Sequence, residues 1–191
     1  MRVIAGTYKG RRLEAPTWGG LRPTSDRLKE TLFNILGPRV AGARVLDGFA
    51  GAGALGIEAL SRGAASVTFV DQDVRAAALV ERNLRHCGIA GGYVMIRGSF
   101  IGAMRRLPAD QQFDLILLDP PYDLDDLSEV LASAAGWLSP TAILVLEHAR
   151  RREIPAQEAT IVRYRTVTAG DSALAFYRPA PSDARPSLEA T

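Results

Sequence analysis

Cysteine is nearly absent from this chain. Cys87 is the only one, which excludes an internal disulfide and any cysteine-rich zinc site. Histidine is almost as scarce, and His86 and His148 lack the spacing of metal ligands, so no metal is expected. No apolar run approaches the ~20 residues that a membrane-spanning helix needs. The N-terminal MRVIAGTYKGRRLEAP has no apolar stretch of the kind that marks a secretion signal. The expectation is a cytoplasmic protein with no membrane attachment. No internal repeat is visible, and no large apolar repeat argues for assembly, so a monomer is expected. A length of 191 residues suits one domain with small appendages.

Charge is present but unevenly spread. The formal net charge is +2, yet residues 1–39 hold eight basic residues against three acidic ones. A basic arm on a mildly acidic body suits a polyanionic partner, although a solvated charged surface would look the same by charge alone.

Val3-Ile4-Ala5 and Arg12-Leu13-Glu14-Ala15, separated by Gly6 and Gly10, predict a short N-terminal hairpin. Pro16–Pro23 reads as loop. Thr24 or Ser25 then caps a helix whose apolar stripe is Leu28, Leu32, Phe33, Ile35 and Leu36, with Gly37-Pro38 as its stop. From Arg44 onward, short apolar strands alternate with helical stretches. Strands are expected at 44–47, 66–71, 93–97, 113–119 and 142–147. Helices are expected at 53–62, 74–87, 101–107 and 124–137. Such alternation predicts a mostly parallel sheet with helices on both faces. Residues 159–167 and 172–178, around Ala169-Gly170-Asp171, predict a closing antiparallel hairpin, for seven strands in all. The expected organisation is residues 1–22 as basic hairpin and loop, 23–178 as the main domain, and 179–191 as a disordered tail.

Three segments carry chemistry. Val45-Leu46-Asp47-Gly48-Phe49-Ala50-Gly51-Ala52-Gly53-Ala54-Leu55-Gly56 is a buried strand running into a glycine-rich turn that opens a helix. Open α/β sheets bind ligands at such strand ends, where glycines let backbone approach closely. Asp47 at that point would repel a pyrophosphate and attract a cationic ligand. Asp71 ends the second strand about 20 residues later, where a carboxylate accepts ribose hydroxyls, a requirement shared by dinucleotides and S-adenosylmethionine. The third segment, Phe113 to Tyr122, delivers Asp119-Pro120-Pro121-Tyr122 to the same sheet edge. An exocyclic amino group on a base is a poor nucleophile because its lone pair is delocalised into the ring. A carboxylate and the carbonyl of Pro120 accepting its two N–H bonds would orient it and stabilise the developing positive charge. Tyr122 offers a face for the base to stack on.

In this order, DGFAGAGALGIEAL, FVDQD and DPPY resemble the Rossmann-like, class I S-adenosylmethionine-dependent methyltransferases that modify amino groups. RVIAGTYKGRRLEAP, LRPTSDRLKETLFNIL, LSRGAASVTFV and DSALAFYR are similar to one family among them, the bacterial small-subunit ribosomal RNA guanine-N2 methyltransferases. The likeness runs from Arg2 to about Arg178. It implies S-adenosylmethionine as cofactor and 16S rRNA of the assembled or assembling small subunit as partner, with guanine 966 as the target. Adenine-N6 methylation of DNA or another RNA, and a non-catalytic RNA-binding role, are the alternatives. The resemblance implies that Asp47, Phe49, Gly51 and Gly53 surround the cofactor's methionine end, that Asp71 and Gln72 hold its ribose, and that Ser99 and Phe100 lie at its adenine. It places Thr24, Asp26 and Arg27 over the cofactor, and Asp119, Pro120 and Tyr122 at the guanine. RNA contacts fall to Lys9, Arg11, Arg12, Arg22 and Arg27. Gly48 stands where the family carries a larger residue, and Asp71 where it carries glutamate.

Overall fold

A computed structural model of the protein describes residues 1–18 and 26–181. The expected roles of Arg22 and Thr24, and the cap at Thr24 or Ser25, fall outside the described residues. The elements follow in order as α1 (Asp26–Leu36), β1 (Arg44–Asp47), α2 (Ala54–Ser61), β2 (Ser66–Asp71), α3 (Val74–His86), β3 (Tyr93–Arg97), α4 (Phe100–Met104), β4 (Phe113–Leu118), α5 (Leu127–Ala135), β5 (Leu138–Ala149), β6 (Gln157–Glu158), β7 (Ile161–Ala169) and β8 (Ser172–Pro179). A 3-10 turn at Gly37–Val40 follows α1, where Gly37-Pro38 stops the helix.

The strands form one sheet in the order β3-β2-β1-β4-β5-β8-β7-β6. Neighbours from β3 through β5 run parallel, and β5, β8, β7 and β6 are antiparallel. The fold is the expected Rossmann-like one with eight strands, not seven. The eighth is the two-residue β6, which adds at the edge of β7 through Gln157 and Glu158 and is too short to leave an alternating pattern. The closing strand runs one residue past its expected end at Arg178. Pro179 pairs with Ile161, and the Ala180 N–H donates to the Thr160 carbonyl at 2.8 Å.

Helices cover both faces, which is why the central strands are continuous apolar runs. One face packs Leu28, Leu32, Phe33 and Leu36 of α1 and Leu55 and Ile57 of α2 on Val45, Phe69, Leu117 and Val145. The other packs Phe100 and Met104 of α4 and Val130 and Leu131 of α5 on Leu46, Val70, Ile116 and Leu146. The N-terminal hairpin is reduced to one bridge, Arg2 to Arg12, because its backbone is bound to the domain more than to itself. Buried Glu58 of α2 accepts the Ile4 and Ala5 N–H groups at 2.7 and 3.0 Å and the Arg62 Nε–H at 2.8 Å. Lys29, also buried, pairs with Glu58 at 3.6 Å and donates to the Arg2 carbonyl at 2.5 Å. Burial lowers the Lys29 pKa, and the Glu58 charge opposes that shift.

Candidate active site

Chain order reverses direction between β1 and β4, with β2 and β3 on one side and β5 on the other. This opens a crevice at the strands' carboxyl ends. A cavity of about 880 Å³ fills it, within the usual range for ligand sites. Asp47 lies beside Phe69 and Leu117, and Leu117 beside Val145. Asp71 on β2 and Glu147 on β5 each stand two residues beyond that row, so by strand alternation they share the α1-facing side with Asp47, and Asp119 follows directly after the last residue of β4. All four line the cavity. The result is a row of carboxylates along one sheet edge.

On the β1–β2 side, the Asp47 side chain is 1% exposed. One carboxylate oxygen accepts the Gly56 N–H at 2.9 Å, and Oδ1 is buried with no hydrogen-bond partner among the described residues. Burial pushes its carboxyl up to about 7. The charges of Asp119 and Asp71 push the same way, while the Gly56 N–H opposes them. A buried acceptor aimed into a ligand-sized space fits a cationic group. Asp71 accepts the Gly51 N–H and the Asp73 N–H, both at 2.8 Å, so each of its oxygens keeps one lone pair for a hydroxyl. Gly48 is required by close approach, since a Cβ there would lie 2.6 Å from Leu118 and 2.8 Å from Phe100. The Phe49 and Phe100 rings stack at 5.5 Å and both line the cavity. Ser99 caps α4 by accepting the Gly102 N–H at 3.2 Å.

On the β4–β5 side, Asp119 is partly exposed and Pro120 is buried, and both line the cavity with Tyr122. Two side chains hold the loop that follows. The Tyr122 hydroxyl hydrogen-bonds Ser172 Oγ at 2.7 Å, and Arg152 donates to the carbonyls of Tyr122 (2.9 Å), Leu124 and Asp125 (3.4 Å). A loop pinned on both sides presents a fixed rim to anything entering.

The cavity thus gathers Asp47, Phe49, Gly51, Asp71, Gln72, Ser99, Phe100, Asp119, Pro120 and Tyr122. Gly53 does not line it. It begins α2 at φ 78°, a left-handed conformation that suits glycine, and a Cβ there would meet Ile57 and Val80 at 3.2–3.3 Å. Asp26 also lies outside, in an exposed ion pair with Arg2 at 3.5 Å. Arg11, expected at RNA, is partly spent inside the protein, where it donates to the Cys87 carbonyl and lies over the Tyr8 ring. Lys9, Arg12 and Arg27 are exposed. Sequence reasoning missed Arg152, Ser172 and above all Glu147. The signal for Glu147 was present: like Asp119, it is the first acid after a buried apolar run.

The family model described as Conserved hypothetical protein 95 matches residues 1–178. The Ribosomal RNA small subunit methyltransferase D of Haemophilus influenzae is 39% identical over 150 residues, 77% of this chain and 78% of its own length. The protein of the same name from Escherichia coli is 34% identical over 180 residues, 93% of this chain and 89% of its own. A solved Escherichia coli structure, YhhF, superposes with a TM-score of 0.82 at 34% identity, covering 94% of this chain and 98% of that one.

Proposed function

Since the chain belongs to the family called Conserved hypothetical protein 95, whose relatives in two bacteria are small-subunit rRNA methyltransferases, we propose that it methylates 16S rRNA at the exocyclic N2 amino group of a guanine. Guanine 966 is the target that the resemblance implies. The observation that carries this reading is the single cavity joining the Asp119-Pro120-Pro121-Tyr122 rim to Asp47, Gly51 and Asp71.

The cofactor is S-adenosylmethionine, which supplies an electrophilic methyl group on a sulfonium. Asp47 and the Gly51 turn hold its cationic end, Asp71 its ribose, and the Phe49–Phe100 pair with Ser99 its adenine side. Next to it, Tyr122 receives the guanine on its ring, and its hydroxyl is fixed by Ser172. Asp119 and the Pro120 carbonyl accept the two N2–H bonds. Holding both would turn the nitrogen lone pair toward a methyl donor bound on the Asp47–Asp71 side and would offset the positive charge that develops on that nitrogen. Asp119 would then stand as an acceptor for the proton that nitrogen sheds. Lys9, Arg12 and Arg27 supply phosphate contacts that position the RNA.

Methyl transfer from labelled S-adenosylmethionine into small subunits from cells lacking the protein tests this reading. Wild type should yield N2-methylguanosine on nucleoside digestion. Asp119→Ala should lose at least about 100-fold in single-turnover rate while binding S-adenosylmethionine within about threefold of wild type by calorimetry. A methylated adenosine, or undiminished turnover by the variant, would refute it.

A further inference from the structure

Glu147 is the member of the carboxylate row to which the reaction above gives no task. It is 7% exposed and lines the cavity. Leu118, the last residue of β4, pairs with Leu146 of β5, so the backbone of Asp119, just past β4, runs beside that of Glu147, still within β5, at the interstrand spacing of about 4.8 Å. The row also has a direction. Asp71 on β2 and Asp47 on β1 lie on the cofactor side of Asp119, and Glu147 on β5 lies on the opposite side.

Two adjacent carboxylates, where both are ionised, offer acceptors only. They favour a base edge made of donors and repel one that presents a lone pair. The edge of guanine next to its 2-amino group carries N1–H, a second donor parallel to the first. Adenine and 2-aminopurine carry a bare N1 acceptor there. We infer that Glu147 accepts the N1–H of the target guanine while Asp119 holds its N2–H, so that Glu147 is the specificity-determining residue of the base pocket. This rests on the guanine reading above and gives it a structural cause. An unstacked base is read through this edge, and a site built around a substrate N–H strongly rejects an analogue without it.

The test uses small-subunit particles carrying either guanine or 2-aminopurine at the target nucleotide. 2-Aminopurine keeps the amino group to be methylated and lacks only N1–H and the 6-oxo group. Wild type should prefer guanine by at least about 100-fold in kcat/KM. In Glu147→Gln the amide can donate to a bare N1, so the guanine rate should fall, the 2-aminopurine rate should rise, and the preference should shrink to within about tenfold. Glu147→Asp keeps the charge at shorter reach and should retain the preference at a lower rate. An unchanged ratio in Glu147→Gln, with thermal midpoint and S-adenosylmethionine binding as in wild type, overturns the inference. If Glu147→Gln does not fold, a wild-type preference below about tenfold overturns it. A wild-type protein that leaves the guanine particle unmethylated overturns the parent reading itself, an outcome separate from an altered base preference.

Discussion

At the scale of single residues, Asp47 has an unusual position. It is buried, one oxygen has no partner among the described residues, and its carboxyl is pushed up to about 7. Between its ordinary value and about 7, an unfolded chain is ionised where the folded one still holds a proton. This residue therefore lowers the stability of the cofactor-free protein as pH rises through that window, and its effect levels off above it. A bound cation reverses the preference. It favours the carboxylate, so binding expels the proton and tightens with rising pH until the free carboxyl has already ionised. S-adenosylmethionine affinity should accordingly climb between pH 5.5 and 7, approaching tenfold per unit, and flatten above. Calorimetry on wild type and Asp47→Asn checks this; the variant should lose the climb.

At the scale of elements, the N-terminal ribbon shows how little pairing a hairpin needs when a neighbour satisfies its backbone. Glu58 receives two of its N–H groups and Arg62, and lies beside Lys29. Removing that carboxylate leaves the half-buried Ile4 and Ala5 N–H groups without their acceptor and the buried Lys29 ammonium without its counter-charge. Glu58→Ala should cost about 3–5 kcal/mol, on the order of 10 °C in thermal midpoint for a chain of this size, with loss of protection at the Ile4 and Ala5 amides in hydrogen exchange. Element boundaries show the same dependence on neighbours. The helix expected from Leu124 begins at Leu127, because Asp126 caps it by accepting the Glu129 N–H at 2.8 Å. The strand expected from Ala142 begins at Leu138, because Phe113 of β4 pairs there across a register shift.

At the scale of the molecule, the charge imbalance gains a location. The ribbon that holds much of the positive surplus packs beside α2 and α3, on the α1 face of the sheet toward which the carboxylate row points. A basic flank beside an acidic pocket separates two tasks, phosphate attraction outside and recognition of donors within. Lys9 and Arg12 are exposed. The double variant Lys9→Ala with Arg12→Ala should weaken small-subunit binding and reduce the log–log salt slope by about two, with kcat nearly unchanged. Equilibrium binding across a salt series measures it, and an unaltered slope would remove these residues from the interface.

The sequence by itself determined the strand ends that carry chemistry. Apolar runs closing in Asp47, Asp71 and Asp119 are local patterns, and a local pattern is enough to place an acid at the carboxyl edge of a parallel sheet. It could not say which acids stand side by side, since that depends on strand order and register between segments far apart in the chain. Only the tertiary structure set β5 beside β4 and so brought Glu147 next to Asp119. Only the structure turned Asp26 outward to Arg2, placed Gly53 behind the turn, and joined Arg152 and Ser172 to the Tyr122 loop. Side-chain direction in each case follows from packing across the fold, which no stretch of neighbouring residues encodes.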